Sequence, residues 1–182
     1  MRVIAGRFKG RRLRAPSWDG LRPTSDKLRE TLFNILAPRI EGARVVDGYA
    51  GTGVVGIEAL SRGAAHVTFI EHDRRAAALI ESNLALCGVK DGYTIECGDV
   101  ASVLRRAPQD FEFDLILLDP QYDADPDTVR QALEAAAGRV ATDGLVVLER
   151  ATRREPDTPA ALSRIRDVPS GDSTLTLMKI HR

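Results

Sequence analysis

The tetrapeptide Asp119-Pro120-Gln121-Tyr122 directly follows the apolar run Leu115-Ile116-Leu117-Leu118 and sets a carboxylate, a stiff turn and an aromatic ring side by side. Those features suit chemistry on an amine of a nucleobase. Such an amine is a poor nucleophile because its lone pair is delocalised into the ring. A site that methylates it needs an acceptor to orient the amine hydrogens and a flat side chain to hold the base. Asp119 can accept, Pro120 stiffens the turn so that a neighbouring carbonyl can serve too, and Tyr122 can stack on an extruded base. Alone, the pattern reads equally well as an Asp-Pro turn with a tyrosine packed on the rim. Placed after the fourth strand of a parallel sheet, it is a strong signal.

A second constellation lies upstream, in Asp47-Gly48-Tyr49-Ala50-Gly51-Thr52-Gly53-Val54-Val55-Gly56. Gly51, Gly53 and Gly56 satisfy G-x-G-x-x-G, and Glu71 follows at the end of the next strand, as in a dinucleotide fingerprint. Taken literally, this says NAD. Asp47 argues otherwise, because a carboxylate beside the place of a pyrophosphate repels it and suits a cation. No His, Tyr–Lys pair or Cys is placed for hydride transfer. A third acid, Asp99 in Gly98-Asp99-Val100, stands where an adenine amine could be hydrogen-bonded. S-adenosylmethionine brings a sulfonium, an ammonium and a ribose but no phosphate, and fits this set of acids. Each acid by itself reads more readily as a turn or helix cap. Three at successive strand ends argue for a ligand.

The elements that must position these groups alternate. Short strands are expected at Arg44–Asp47, Val67–Glu71, Tyr93–Cys97, Leu115–Leu118 and Leu145–Leu148, the last two being continuous apolar runs typical of strands buried on both faces. Helices are expected from Thr24 or Ser25 to a stop at Pro38, over Gly53–Arg62, Arg74–Leu86 and Val100–Arg105, and from Pro126 to Ala137. Arg164–Val168 and Thr174–Ile180 flank a turn cluster and predict an antiparallel pair at the sheet edge. At the start, Val3–Phe8 and Arg11–Arg14 flank Lys9-Gly10 and predict a small hairpin. The pattern is a doubly wound α/β sandwich that binds ligand beyond the carboxyl ends of its strands.

Composition narrows the partners. With 182 residues, 43% hydrophobic and 29% charged, the chain suits a single soluble domain. It has no apolar run of membrane-spanning length, and its basic start disfavours export. A cytoplasmic protein is expected. Cys87 and Cys97 make no disulfide framework and no zinc spacing. The formal net charge of zero hides an asymmetry. Residues 1–30 carry nine Lys/Arg against three acids, while the remaining 152 residues carry a matching acidic excess. A basic arm on an acidic body is what phosphate-backbone binding needs; a solvated surface hairpin is the plainer reading.

The sequence resembles the bacterial RsmD-type 16S ribosomal RNA guanine-N2 methyltransferases over nearly its whole length. The resemblance rests on Arg2-Val3-Ile4-Ala5-Gly6, Arg22-Pro23-Thr24, Arg29-Glu30, Phe33-Asn34, the loop from Asp47 to Gly56 continuing through Ile57-Glu58-Ala59-Leu60-Ser61-Arg62-Gly63-Ala64, Glu71, and Asp119-Pro120-Gln121-Tyr122. It implies a Rossmann-like class I S-adenosylmethionine-dependent fold with a seven-stranded sheet, divided as a basic arm and linker over 1–22 and a methyltransferase domain over 23–182. It implies S-adenosylmethionine as donor and N2 of one guanine as acceptor, in 16S rRNA of the small subunit or its assembly intermediate. Asp47, Ala50, Gly51, Gly53, Glu71 and His72 would line the donor site, with Asp99 and Val100 at the adenine. Thr24 and Arg22 would close over the donor or approach the RNA, with Pro23 fixing their loop. Asp119, Pro120 and Tyr122 would address the guanine, and Arg7, Lys9, Arg11, Arg12, Arg14 and Arg22 the RNA backbone. No metal is implied, and a monomer is expected.

Two departures stand out. The family pattern D-P-P-Y reads D-P-Q-Y here, which predicts a looser turn under Tyr122 rather than loss of activity. Gly48-Tyr49 replaces an apolar pair that begins with Leu. Three other readings remain: a methyltransferase acting on adenine N6 in DNA, on another nucleic-acid amine or on a small molecule, a non-catalytic RNA-binding assembly factor and, last, a dinucleotide oxidoreductase.

Overall fold

The computed structural model describes residues 1–18, 24–108 and 111–181. Strands β1 (Arg44–Gly48), β2 (His66–Glu71), β3 (Tyr93–Cys97), β4 (Phe113–Leu118) and β5 (Val140–Ala151) run parallel, and β6 (Leu162–Ser170) and β7 (Ser173–Ile180) add an antiparallel pair. The seven lie in the order β3-β2-β1-β4-β5-β7-β6. Alternation within each strand builds two cores. Val45, Leu115 and Val147 face the layer of α1 (Asp26–Ile40), α2 (Val54–Ser61) and α3 (Arg74–Leu86). Val46, Ile116 and Leu148 face α4 (Val100–Arg106) and α5 (Pro126–Ala137). Burial of each such side chain contributes roughly 1.5–3 kcal/mol. Between β1 and β4 the winding reverses, which opens a crevice at their carboxyl ends.

Glycine at position 56 is what lets α2 lie close to the sheet, because a Cβ there would stand 2.3 Å from the Phe69 ring. Three expectations need correction. α1 does not stop at Pro38 but runs to Ile40, whose buried side chain joins the core and offsets the lost backbone donor one turn from the end. β5 spans twelve residues rather than the apolar four, because it opens at Val140 beside Phe113 of β4 and its polar end, Glu149-Arg150-Ala151, pairs with β7 alone.

The N-terminal hairpin is reduced to one antiparallel bridge, Arg2 with Arg12, flanking a wide turn. Val3 N, Gly10 N and Leu13 N still donate across it, to the carbonyls of Arg11, Val3 and Met1, while the donors of Ile4, Ala5, Arg7 and Phe8 go to α2. The Glu58 carboxylate, fully buried, accepts from Ile4 N at 2.8 Å and Ala5 N at 3.0 Å, while also pairing with Arg62. Phe8 N donates to Ser61 Oγ, and Arg7 N to the Ser61 carbonyl. Val3 and Leu13 join the main core. Glu58→Ala leaves the partly buried Arg62 guanidinium and two amides without their acceptor. It is expected to cost about 3 kcal/mol in urea unfolding, with Glu58→Gln recovering part of the loss.

Candidate functional site

A cavity of about 610 Å³ opens at the crevice, a size suited to a nucleoside-sized ligand. Its floor is the β1–α2 loop. Gly51 and Gly53 adopt positive φ, and Gly53, the N-cap of α2, would bring a Cβ within 3.0 Å of Ile80. The Asp47 carboxylate accepts from Gly56 N at 2.8 Å. Glu71, at the end of β2, accepts from Gly51 N at 2.8 Å through one oxygen and from Asp73 N at 2.9 Å through the other. The two acids thus brace the loop as well as facing the cavity.

The opposite wall is built at the ends of β4 and β5. Leu118 is registered with Leu148, so the residues that follow, Asp119 and Glu149, are neighbours across the strand pair. Thr24 Oγ1 donates to Asp119 Oδ2 at 2.8 Å, tying the start of α1 to the wall. The Tyr122 hydroxyl is hydrogen-bonded to Ser173 Oγ and lies 3.4 Å from Glu149 Oε1, to which Ser173 also donates at 3.2 Å.

Electrostatically the cavity is loaded with acids. Asp47, Glu71, Asp119 and Glu149 line it, with Lys27 and His72 at its edge. Burial, then the charges of Asp119 and Glu71, hold the Asp47 carboxyl well above the usual carboxylate range despite its Gly56 bond. Glu149 is pushed up to about 8 by burial first, then by the charge of Asp119 and a hydrogen bond shared with it. Burial and the Asp119 charge thus favour the protonated form of Glu149. At both groups the folded-state pKa lies above the unfolded one, so at these two positions the folded chain binds more protons than the unfolded. The resulting stability is complete below about pH 4 and is lost as pH rises toward 8. The melting temperature is expected to fall from pH 5 to 8, and Glu149→Gln to flatten that fall.

The structure brings together Thr24, Asp47, Ala50, Gly51, Glu71, His72, Asp119, Pro120 and Tyr122 as lining of this one cavity. Gly53, Asp99 and Val100 are not among its lining residues. Asp99 is exposed and caps α4, accepting from Ser102 N at 2.9 Å, and Val100 is buried in the second core. Arg7, Lys9, Arg11, Arg12 and Arg14 are all exposed on the arm. Arg14 is also tied to Ser82 and Asn83 of α3. Arg22 and Pro23 lie outside the described residues. Sequence reasoning missed Glu149, Ser173 and Lys27. The signal for Glu149 was present: an acid directly after the apolar run Leu145–Leu148, as Asp119 follows Leu115–Leu118. Among the described residues no His/Cys/Asp/Glu cluster could hold a metal, and no helix is long and apolar enough to cross a membrane.

The model of the family "Conserved hypothetical protein 95" matches residues 1–179. Over 131 residues the chain is 40% identical to "Ribosomal RNA small subunit methyltransferase D" of Haemophilus influenzae, a match that spans 67% of this chain and 64% of that protein. It is 34% identical to "Putative rRNA methyltransferase YlbH" of Bacillus subtilis, over 98% of both chains. Among solved structures, "Putative methyltransferase yhhF from Escherichia coli" superposes with a TM-score of 0.85 at 30% identity, over 100% of this chain and 98% of that one. A putative methyltransferase complexed with SAH shares the fold at a TM-score of 0.72 and 14% identity, over 89% of this chain and 52% of that one.

Proposed function

The chain belongs to the Conserved hypothetical protein 95 family, that of the RsmD-type enzymes, and on that premise we propose that it transfers a methyl group from S-adenosylmethionine to N2 of a guanine in 16S rRNA. The observation that carries this reading is the convergence of four carboxyl groups, Asp47, Glu71, Asp119 and Glu149, on one cavity. Two of them, Asp47 and Glu149, are held above the usual carboxylate range, and a site so crowded with acids awaits a cation. A sulfonium and an ammonium relieve their repulsion, whereas a diphosphate would add to it. The names of the relatives support an rRNA acceptor, and the SAH-bound neighbour supports the donor.

In this reading Glu71 and the Gly51 backbone hold the ribose side of the donor, Asp47 faces its positive end, and Asp99 serves the adenine. When bound, the donor supplies a methyl group already activated by its sulfonium. Asp119 accepts from the N2 amine and aims its lone pair at that methyl, and Tyr122 stacks on the base. The guanine edge offers N1–H beside the N2 amine, two donors in a row. Asp119 and Glu149, ionised once a cation enters, make a matching pair of acceptors. Adenine would set its N1 lone pair against one of them. As the N–C bond forms and the S–C bond breaks, one amine proton must leave, and Asp119, backed by Glu149, takes it. The exposed cations Arg7, Lys9, Arg11, Arg12 and Arg14, together with Arg22, hold the RNA backbone.

Incubation with tritiated donor and undermethylated small subunits, naked 16S rRNA or DNA, followed by nucleoside mass spectrometry, tests the assignment. N2-methylguanosine in the subunit or its rRNA is expected. N6-methyladenosine, or label in DNA alone, would replace this reading with the adenine one.

A further inference from the structure

The loop that carries Tyr122, between β4 and α5, has no regular structure of its own; its turn is closed by Ala124 N donating to the Gln121 carbonyl at 2.9 Å. Proline at 121 would lock φ near −65° and narrow the loop before it folds. Glutamine leaves that freedom. A further constraint comes from outside the loop. Arg154, in the turn after β5, donates through Nη1 to the Tyr122 carbonyl at 2.6 Å and to the Ala124 carbonyl at 3.1 Å.

Arg154 is itself held to the sheet. Its backbone N donates to the Ala151 carbonyl at 2.9 Å, and its own carbonyl accepts from Arg150 Nη1 at 2.9 Å. The Arg150 guanidinium is buried and anchored to Thr176 and Asp167 of the antiparallel edge. Thr152 N donates to the Asp172 carbonyl, joining the same turn to the β6–β7 hairpin. That hairpin also supplies Ser173, which meets the Tyr122 hydroxyl. The ring is therefore gripped at its backbone and at its tip by one rigid edge of the sheet.

We propose that Arg154 is a positioning residue that fixes the Tyr122 ring at the cavity, adding a restraint on the backbone that a glutamine at 121, unlike the ring of a proline, does not supply. What the ring then does rests on the methyltransferase reading; the ordering of the loop does not. Arg154 is exposed and belongs to neither core, so its removal spares the fold.

Arg154→Ala is expected to lower kcat/KM for the RNA about tenfold, the loss of one bridging charged donor, while leaving donor affinity and melting temperature unchanged. Arg154→Lys, with one point donor in place of the planar fork, should fall between. In a Gln121→Pro background the same Arg154→Ala change should cost less than about threefold, because the backbone no longer needs the clamp. An equal loss in both backgrounds would overturn the proposal.

Hydrogen exchange of the amides at 121–125 gives a readout free of activity and of the Gln121→Pro variant. Faster exchange confined to those residues in Arg154→Ala is expected, and unchanged exchange would overturn the proposal. Loss of loop protection in a protein that methylates no RNA would instead leave the clamp standing and remove the methyltransferase reading.

Discussion

Asp119→Ala is expected to reduce methyl transfer to undermethylated small subunits by about 10³-fold while changing donor affinity less than about threefold. The carboxylate stands at the end of β4, bonded to Thr24 and paired with Glu149, on the wall opposite the glycine loop. Its loss removes the acceptor that orients the amine but leaves Asp47, Glu71 and the Gly51 backbone in place. Folding should not suffer. Removing Asp119 also removes the neighbour that helps hold the Glu149 carboxyl up, so Glu149 ionises at lower pH and burial alone opposes it. Asp119→Asn keeps an oxygen acceptor without its charge and should retain more activity than Ala. Single-turnover kinetics with saturating donor separates the chemical step from binding. Turnover at the parent rate in Asp119→Ala would take Asp119 out of the mechanism.

Glu71→Ala should act on the other half of the site. Its two oxygens accept from Gly51 N and Asp73 N, and the carboxylate is almost wholly buried. Truncation frees the glycine loop and takes away the acceptor assigned to the ribose. A weakening of donor binding by about 100-fold is expected, since a charged hydrogen bond contributes roughly 1.5–3 kcal/mol. Calorimetric titration of the variant with the donor reads it. An unchanged Kd would assign Glu71 to loop geometry alone.

Much of this was legible in the sequence because of how parallel sheets bury their strands. Leu115–Leu118 and Leu145–Leu148 are apolar throughout since helices cover both faces, and the change to Asp119 marks where the sheet ends and the crevice begins. Helices α3 and α5 begin at residues whose chemistry is local, Asp73 as cap before Arg74 and Asp125 before Pro126. What escaped was set by distance along the chain. Glu149 and Ser173 meet Tyr122 only because β5 and β7 pair antiparallel. The N-terminal segment does fold back on itself, with Arg2 bridged to Arg12, yet the donors of Ile4, Ala5, Arg7 and Phe8 go to Glu58 and Ser61, more than fifty residues away. No local pattern announces such a partner. Arg154 was equally silent: it acts through carbonyls, which carry no residue identity.

The looser turn expected from Gln121 also looks different in the folded chain. The sequence predicts a less constrained Tyr122, and the structure supplies two outside restraints on it, at the carbonyl and at the hydroxyl. A local deficit is met by tertiary contacts.

Isothermal titration of the purified protein with S-adenosylmethionine and, separately, with NADH tests the central claim most directly. A cavity lined by Asp47, Glu71, Asp119 and Glu149 should take up the sulfonium ligand with a Kd in the micromolar range, on the order of −8 kcal/mol, and release protons as it does so. NADH should give no heat of binding. Saturable binding of NADH with none of the sulfonium compound would contradict the account.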